Sequence, residues 1–206
     1  AMYVHPRPYQ DPHPPVWLMS NAPPTFREAG SKGWGVISMA SAPKRTLACW
    51  EPYRDAASAR LGRPVRLGRG VGVCMAVYVG ETMREAIDTV RPAINGFYEF
   101  LGGSRPKGEW TKHGYLDIGE EMTPEEESMD WFDFLNARGI IVVGDAAYVA
   151  ERFAEHREAT GLDHLVLMQQ YTGIPYAKIR ASWERLFEHV VPRFGTEPAA
   201  GELADA

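Results

Sequence analysis

Three short polar residues, Ser20, Asn21 and Thr25, follow the apolar tetrad Val16-Trp17-Leu18-Met19, with Pro23 and Pro24 just before Thr25. The order reads as a strand that delivers two small polar residues to a loop and then to the first turn of a helix, where proline is tolerated. A helix start beside Ser, Asn and Thr combines backbone N–H groups with short side-chain donors, which is anion-binding chemistry suited to a phosphate. The same residue types cap helices in most proteins, so simple capping is the other reading of this spacing. Upstream, Pro14 and Pro15 cannot donate to a sheet ladder and so fix where pairing begins.

Other groups carry weaker chemical signals. Gly144-Asp145 before a helix resembles a phosphate turn, but an N-cap aspartate explains it more simply. The histidines His5, His13, His113, His156, His164 and His189 show no ligand pair at helical spacing, so no metal site is expected. His164 precedes a strand and so lies at the end away from barrel chemistry, whereas His113, in an irregular stretch, is better placed for the active-site side, with a solvated loop histidine as the plainer reading. Trp110, Tyr115, Trp131, Phe132 and Phe134 could line a substrate pocket, and the plainer expectation is that Trp131, Phe132 and Leu135 fasten a helix to a core. Neither a nucleophile elbow nor a phosphate-binding loop motif occurs.

The elements that would position these groups alternate. A strand at 16–19 leads to a short helix with Phe26, Ala29 and Gly30 on one face, and Gly33-Trp34-Gly35 introduces a second strand, Val36 to Met39. A helix is expected from Tyr53 to Leu61, stopped by Gly62 and Pro64. Val71 to Val79 is apolar almost throughout, as in a parallel strand covered on both faces. Thr82 and Glu85 then open a long helix with Met83, Ile87, Val90, Ile94, Phe97 and Leu101 at helical spacing, with Pro92 as a possible kink. Residues 102–138 interrupt the rhythm with glycines and aromatics and are read as an irregular helical insertion that includes a helix opened by Thr123-Pro124. A strand from Ile140 to Val143, a helix from Ala146 to Ala159, a strand from Leu165 to Met168 and a final helix with Ile179, Trp183, Leu186, Phe187 and Val190 inward complete the order.

Composition fits one soluble globular domain over residues 1–194, with 195–206 as a loose acidic tail, in a chain of 206 residues that is 45% hydrophobic and 24% charged. A formal net charge of -5 offers no basic field for nucleic acid. Two cysteines, Cys49 and Cys74, make no disulfide framework. With no secretory signal pattern and no stretch of membrane-spanning length, no membrane contact and a cytoplasmic location are expected by default.

Several phrases taken in order resemble the bacterial luciferase-like flavin-dependent monooxygenases: Pro8-Tyr9-Gln10-Asp11-Pro12-His13-Pro14-Pro15-Val16-Trp17, then Val77-Tyr78-Val79-Gly80-Glu81-Thr82 with Glu85-Ala86, Ile141-Val142-Val143-Gly144-Asp145, Thr160-Gly161-Leu162-Asp163-His164-Leu165, and Val190-Val191-Pro192. The proline run that lies mid-barrel in that family stands here near the front. The resemblance therefore implies an α/β fold of parallel strands corresponding to the second half of a TIM (β/α)8 barrel, with four strand-helix units and two exposed parallel edges.

That resemblance implies a function too. Ser20, Asn21 and Thr25 match the post-strand loop that binds the flavin phosphate in the family, and Ser38, Met39 and Ala40 match the next strand mouth, near the flavin. Core packing at a strand end is the alternative for the latter three. The implied cofactor is reduced FMN, with a deazaflavin as the other possibility, and the implied activity is flavin-dependent oxidation of a small organic substrate. The residues around the reactive ring edge belong largely to the other barrel half, so no catalytic residue is assigned. Two rival readings follow: a noncatalytic flavin-binding or structural half-barrel that forms a homo-oligomer or pairs with a companion subunit, and a deazaflavin-dependent hydride-transfer enzyme.

Overall fold

The computed structural model describes residues 7–11, 13–39, 42–103, 105–112, 114–169 and 171–195. Ala40, His113 and the expected tail beyond Gly195 lie outside the described residues, as does the side chain of Trp110.

Five parallel strands alternate with helices: β1 (Trp17–Met19), α1 (Pro23–Lys32), β2 (Gly35–Met39), α2 (Pro43–Leu61), β3 (Val71–Val79), α3 (Met83–Gly102), the short α4 (Lys107–Thr111), α5 (Pro124–Ser128) and α6 (Trp131–Ala137), β4 (Ile141–Gly144), α7 (Ala146–Thr160), β5 (His164–Met168) and α8 (Tyr176–Arg185). A π-helical turn, Leu186–Val190, and a 3-10 turn, Val191–Phe194, follow. β1 pairs with β2 and β2 with β3. Both β2 and β5 pair with the stretch Gly72 to Cys74, so they occupy opposite edges of β3 and give the order β1-β2-β3-β5. β4 flanks only the end of β3, from Ala76 to Val79. Among the described residues, the outer edges of β1 and β5 pair with no strand.

Strand alternation separates two faces. Leu18, Val36, the odd residues of β3, Leu165 and Leu167 pack with α1, α2, α7 and the π-helical turn. α1 and α2 approach closely at Gly30, where a Cβ would stand 2.5 Å from the Tyr53 carbonyl oxygen. On the second face, Ala76 and Tyr78 pack with α3, α6 and the insertion, as do Met39 and Met168. Farther toward the strand starts this face is open, with Trp17, Met19 and Val166 exposed at 39%, 51% and 39%. There Trp17 crosses Gly35 and meets the His164 ring at 5.3 Å.

Two expectations change. α2 starts at Pro43, not near Tyr53, and continues through Pro52. Burial of Thr46, Cys49, Trp50, Tyr53 and Ala57 along one side of this helix outweighs the hydrogen bond lost at the proline. In α8 and the turn after it, Ile179, Leu186 and Val190 are buried, but Trp183 and Phe187 are exposed at 47% and 55%. Trp183 lines a cleft beside β5, whose outer edge has no neighbouring strand to cover it.

Candidate functional site

The C-terminal ends of β1 and β2 are held together by one side chain. Asn21 Nδ2 donates to the Met39 carbonyl at 2.8 Å, and its Oδ1 accepts the Met39 N–H at 2.9 Å. The Ser20 N–H donates to Ile37 at 3.0 Å, while Ser20 Oγ accepts the Ala22 N–H at 3.1 Å and keeps its own O–H for another acceptor. Thr25 lies in the first turn of α1, whose N-cap, Ala22, makes no side-chain capping bond. Pro23 and Pro24 suit that turn, but they also remove the two N–H groups that a phosphate would otherwise meet there, and the Thr25 N–H is used by the Ala22 carbonyl at 3.0 Å. Side chains must therefore supply most of the donors at this loop.

Ser38 and Met39 separate at the mouth of β2. Ser38 is fully buried and its Oγ accepts the Trp50 indole N–H at 3.1 Å, which places its hydroxyl on the α2 side of the sheet. Met39 lies on the second face, partly buried against the insertion.

Arg45 is a residue the sequence reading missed. It stands in the first turn of α2, only 8% exposed, and donates from Nη1 to the Leu116 carbonyl at 3.0 Å and from Nη2 to the Asn21 carbonyl at 2.9 Å. Its Nε is buried without a partner. No ion pair of the described residues includes it. The N-cap of α2, Ala42, also makes no side-chain capping bond, and Pro43 occupies its start. Reading Pro43 as a first-turn proline would have placed Arg45 here; assigning the residues before Tyr53 to a loop hid it.

Over the same end of the sheet lies an aromatic layer from α3, the insertion and the loop after β5. Tyr98 stacks on Trp131 at 5.3 Å and meets Tyr115 edge-on at 5.9 Å, and Phe97 meets Tyr171 edge-on at 5.2 Å. Burial raises the phenol pKa of Tyr98, Tyr115 and Tyr171, so all three stay neutral donors at physiological pH. Gln169, beyond the end of β5, has both amide atoms buried without a partner, as is the Tyr171 hydroxyl. Phe132, Phe134 and Leu135 are core residues, so α6 is fastened by them.

The remaining candidates have structural roles. Asp145 caps α7 by accepting the Tyr148 N–H at 3.0 Å. Buried His156 lies 3.1 Å from the Gly139 carbonyl, and desolvation lowers its pKa. Cys49 is pushed up to about 11 by burial and Cys74 is raised for the same reason, so neither is a ready thiolate. Among the described residues no group of three or more His, Cys, Asp or Glu could hold a metal, and no helix is long and apolar enough to cross a membrane.

A family model described as luciferase-like monooxygenase matches residues 1–164. The chain belongs to this family. Solved luciferase-like structures share its fold: a monooxygenase from Streptomyces bottropensis, at 20% identity and a TM-score of 0.71, covers 93% of this chain and 51% of its own. The oxygenating constituent of 3,6-diketocamphane monooxygenase from Pseudomonas putida, in complex with FMN, gives 20% identity, a TM-score of 0.63, and coverage of 88% and 49%. The coenzyme F420-dependent tetrahydromethanopterin reductase of Methanopyrus kandleri gives 20% identity, a TM-score of 0.56, and coverage of 88% and 51%. A comparison with curated proteins found no match. The chain thus spans about half the length of these luciferase-like relatives and has the parallel α/β fold of part of their barrel.

Proposed function

We propose that this chain is the flavin-holding half of a luciferase-like oxidoreductase that uses reduced FMN and oxygen to oxidise a small organic substrate. Family membership over residues 1–164 carries the reading. The mouth of β1 and β2 fits a flavin phosphate: the Ser20 hydroxyl, the Thr25 side chain and the uncapped start of α2 gather there, beside a buried guanidinium with an unused N–H. Asn21 holds the two strand ends in register, Met39 offers an apolar contact for the ring system, and Ser38 braces that strand end from behind through Trp50. Ala40, next in sequence, belongs to the same proposed contact.

Reduced flavin held at this mouth would supply two electrons to oxygen, allowing one oxygen atom to enter the substrate and the other to leave as water. The chain's own residues bind and orient. The layer of Tyr98, Tyr115, Trp131 and Tyr171 excludes water from the strand ends, which protects a reactive cofactor from side reactions. The same mouth would accept a deazaflavin for hydride transfer, the cofactor type named for the Methanopyrus kandleri reductase.

A second reading rests on the open edges. Trp17 and Met19 on β1, Val166 on β5, and Trp183 and Phe187 after it leave apolar surface at both ends of the sheet. Two copies related by a two-fold axis along the strands would place β5 of each beside β1 of the other and complete eight parallel strands around one core, as would a companion chain. In that case the unit binds flavin without catalysis.

Purified protein supplied with a flavin reductase, NADH and FMN separates these readings. Oxygen consumption above the reductase background, dependent on an added organic substrate, supports the enzyme. FMN binding with no such consumption, together with a dimer in sedimentation, supports the binding subunit. Failure to bind either FMN or a deazaflavin rejects both.

A further inference from the structure

We infer that Arg45 is the phosphate anchor of this flavin site, supplying the positive charge and donors that the start of α1 lacks; the inference rests on the flavin reading above. The first argument is electrostatic. A cation that is 8% exposed and, among the described residues, has only carbonyl partners has lost most of its hydration without gaining a counter-charge there. Burying an unpaired charge is strongly unfavourable, and such groups persist where an anion completes them.

The second argument is the donor inventory. A guanidinium has five N–H groups. In Arg45 the two carbonyls, from Leu116 and Asn21, leave the buried Nε–H and the second hydrogens of both Nη atoms for another acceptor. A planar fork of this kind matches a phosphate through parallel, charge-assisted hydrogen bonds.

The third argument is position. The Arg45 guanidinium touches the Asn21 carbonyl, so it lies at the loop where Ser20 and Thr25 stand, and its own helix of 19 residues begins there with no capping side chain. The proline pair of α1 removes backbone donors on one side of this loop, and Arg45 with the first turn of α2 replaces them on the other. The nearest acidic residue along the chain from its carbonyl partner is Asp117, whose Oδ1 is buried without a hydrogen bond, so an internal Arg45–Asp117 pair is the competing use of the charge. Lys44, beside Arg45, is drawn instead toward Glu120, which it helps to keep ionised.

FMN and riboflavin differ only in the phosphate, so their affinities isolate it. The dissociation constants of both are measured by flavin fluorescence for the wild-type chain, Arg45→Met, Arg45→Lys and Asp117→Asn, alongside the thermal midpoint of each protein without flavin. The proposal expects wild type to bind FMN roughly 10- to 100-fold more tightly than riboflavin. Arg45→Met should erase that preference while leaving riboflavin affinity unchanged, Arg45→Lys should restore part of it, and Asp117→Asn should keep it. An undiminished FMN preference in Arg45→Met overturns the proposal even though the flavin reading survives. Loss of the preference in Asp117→Asn also overturns it, in favour of the internal pair. If wild type binds neither flavin, the flavin reading itself fails and the inference falls with it. Should Arg45→Met fail to fold, wild-type FMN affinity in rising inorganic phosphate decides: competition against FMN but not riboflavin supports the anchor, and equal indifference of both overturns it.

Discussion

Asn21 binds both backbone groups of Met39, at 2.8 and 2.9 Å, and so adds to the β1–β2 ladder one rung made by a side chain. A carboxamide can do this because it carries one donor and one acceptor face, as a peptide group does. Asn21→Leu removes both of these bonds to Met39. Denaturant unfolding should show a loss of about 1–3 kcal/mol. Asn21→Asp should cost at least as much above pH 5, because a carboxylate accepts the Met39 N–H but repels its carbonyl.

Ser38 and Trp50 form the second tie at this strand end. Ser38→Ala strands the buried indole N–H, and chemical denaturation should register about 1–3 kcal/mol of destabilisation. Adding Trp50→Phe should make the further loss from Ser38→Ala much smaller than in wild type, since no donor is then left unpaired. Equal effects of Ser38→Ala in both backgrounds would mean that the hydrogen bond contributes nothing.

Gly35 has the Trp17 ring over it, and a Cβ there would stand 2.4 Å from the ring. Gly35→Ala should push the indole away from His164, lower stability by about 1–3 kcal/mol and shift the tryptophan emission. A shifted emission with unchanged stability would show that the ring swings aside freely on the open face, and an unchanged emission would contradict the close approach of Trp17 to Gly35.

Glu120 is bound by Arg138 at 2.8 and 3.0 Å, and that hydrogen bond holds its carboxyl down to about 2, against an ordinary value of 4.5. A folded pKa below the unfolded one adds stability that is complete above pH 4.5 and drains away as pH falls through about 2. Glu120→Gln should therefore flatten the stability profile between pH 4.5 and 2 and leave its shape above pH 5 unchanged. Parallel acid profiles of the two proteins would contradict this assignment.

Apolar runs made β3 legible to the residue, and the spacing of Phe26, Ala29 and Gly30 identified the buried side of α1 correctly. The start of α2 was hidden because Pro52 looks like a stop, whereas tertiary burial carries the helix through it. Trp183 and Phe187 carry the spacing of an inward face, but hydrophobic pattern marks a face without saying what covers it, and beside the free edge of β5 nothing in the described chain does. At the site, the loop with Ser20 and Asn21 was legible from strand and turn chemistry. Arg45 was not, because a buried polar group without a partner is a property of packing and leaves no mark in local spacing.

The thermal midpoint of the purified chain in increasing FMN, with a phosphate-bearing deazaflavin in parallel, tests the flavin reading most directly. A ligand that binds only the folded state must raise the midpoint progressively, in line with its affinity. A saturable rise with FMN, the deazaflavin or both is the predicted result. A midpoint that neither compound moves up to millimolar concentration would contradict it.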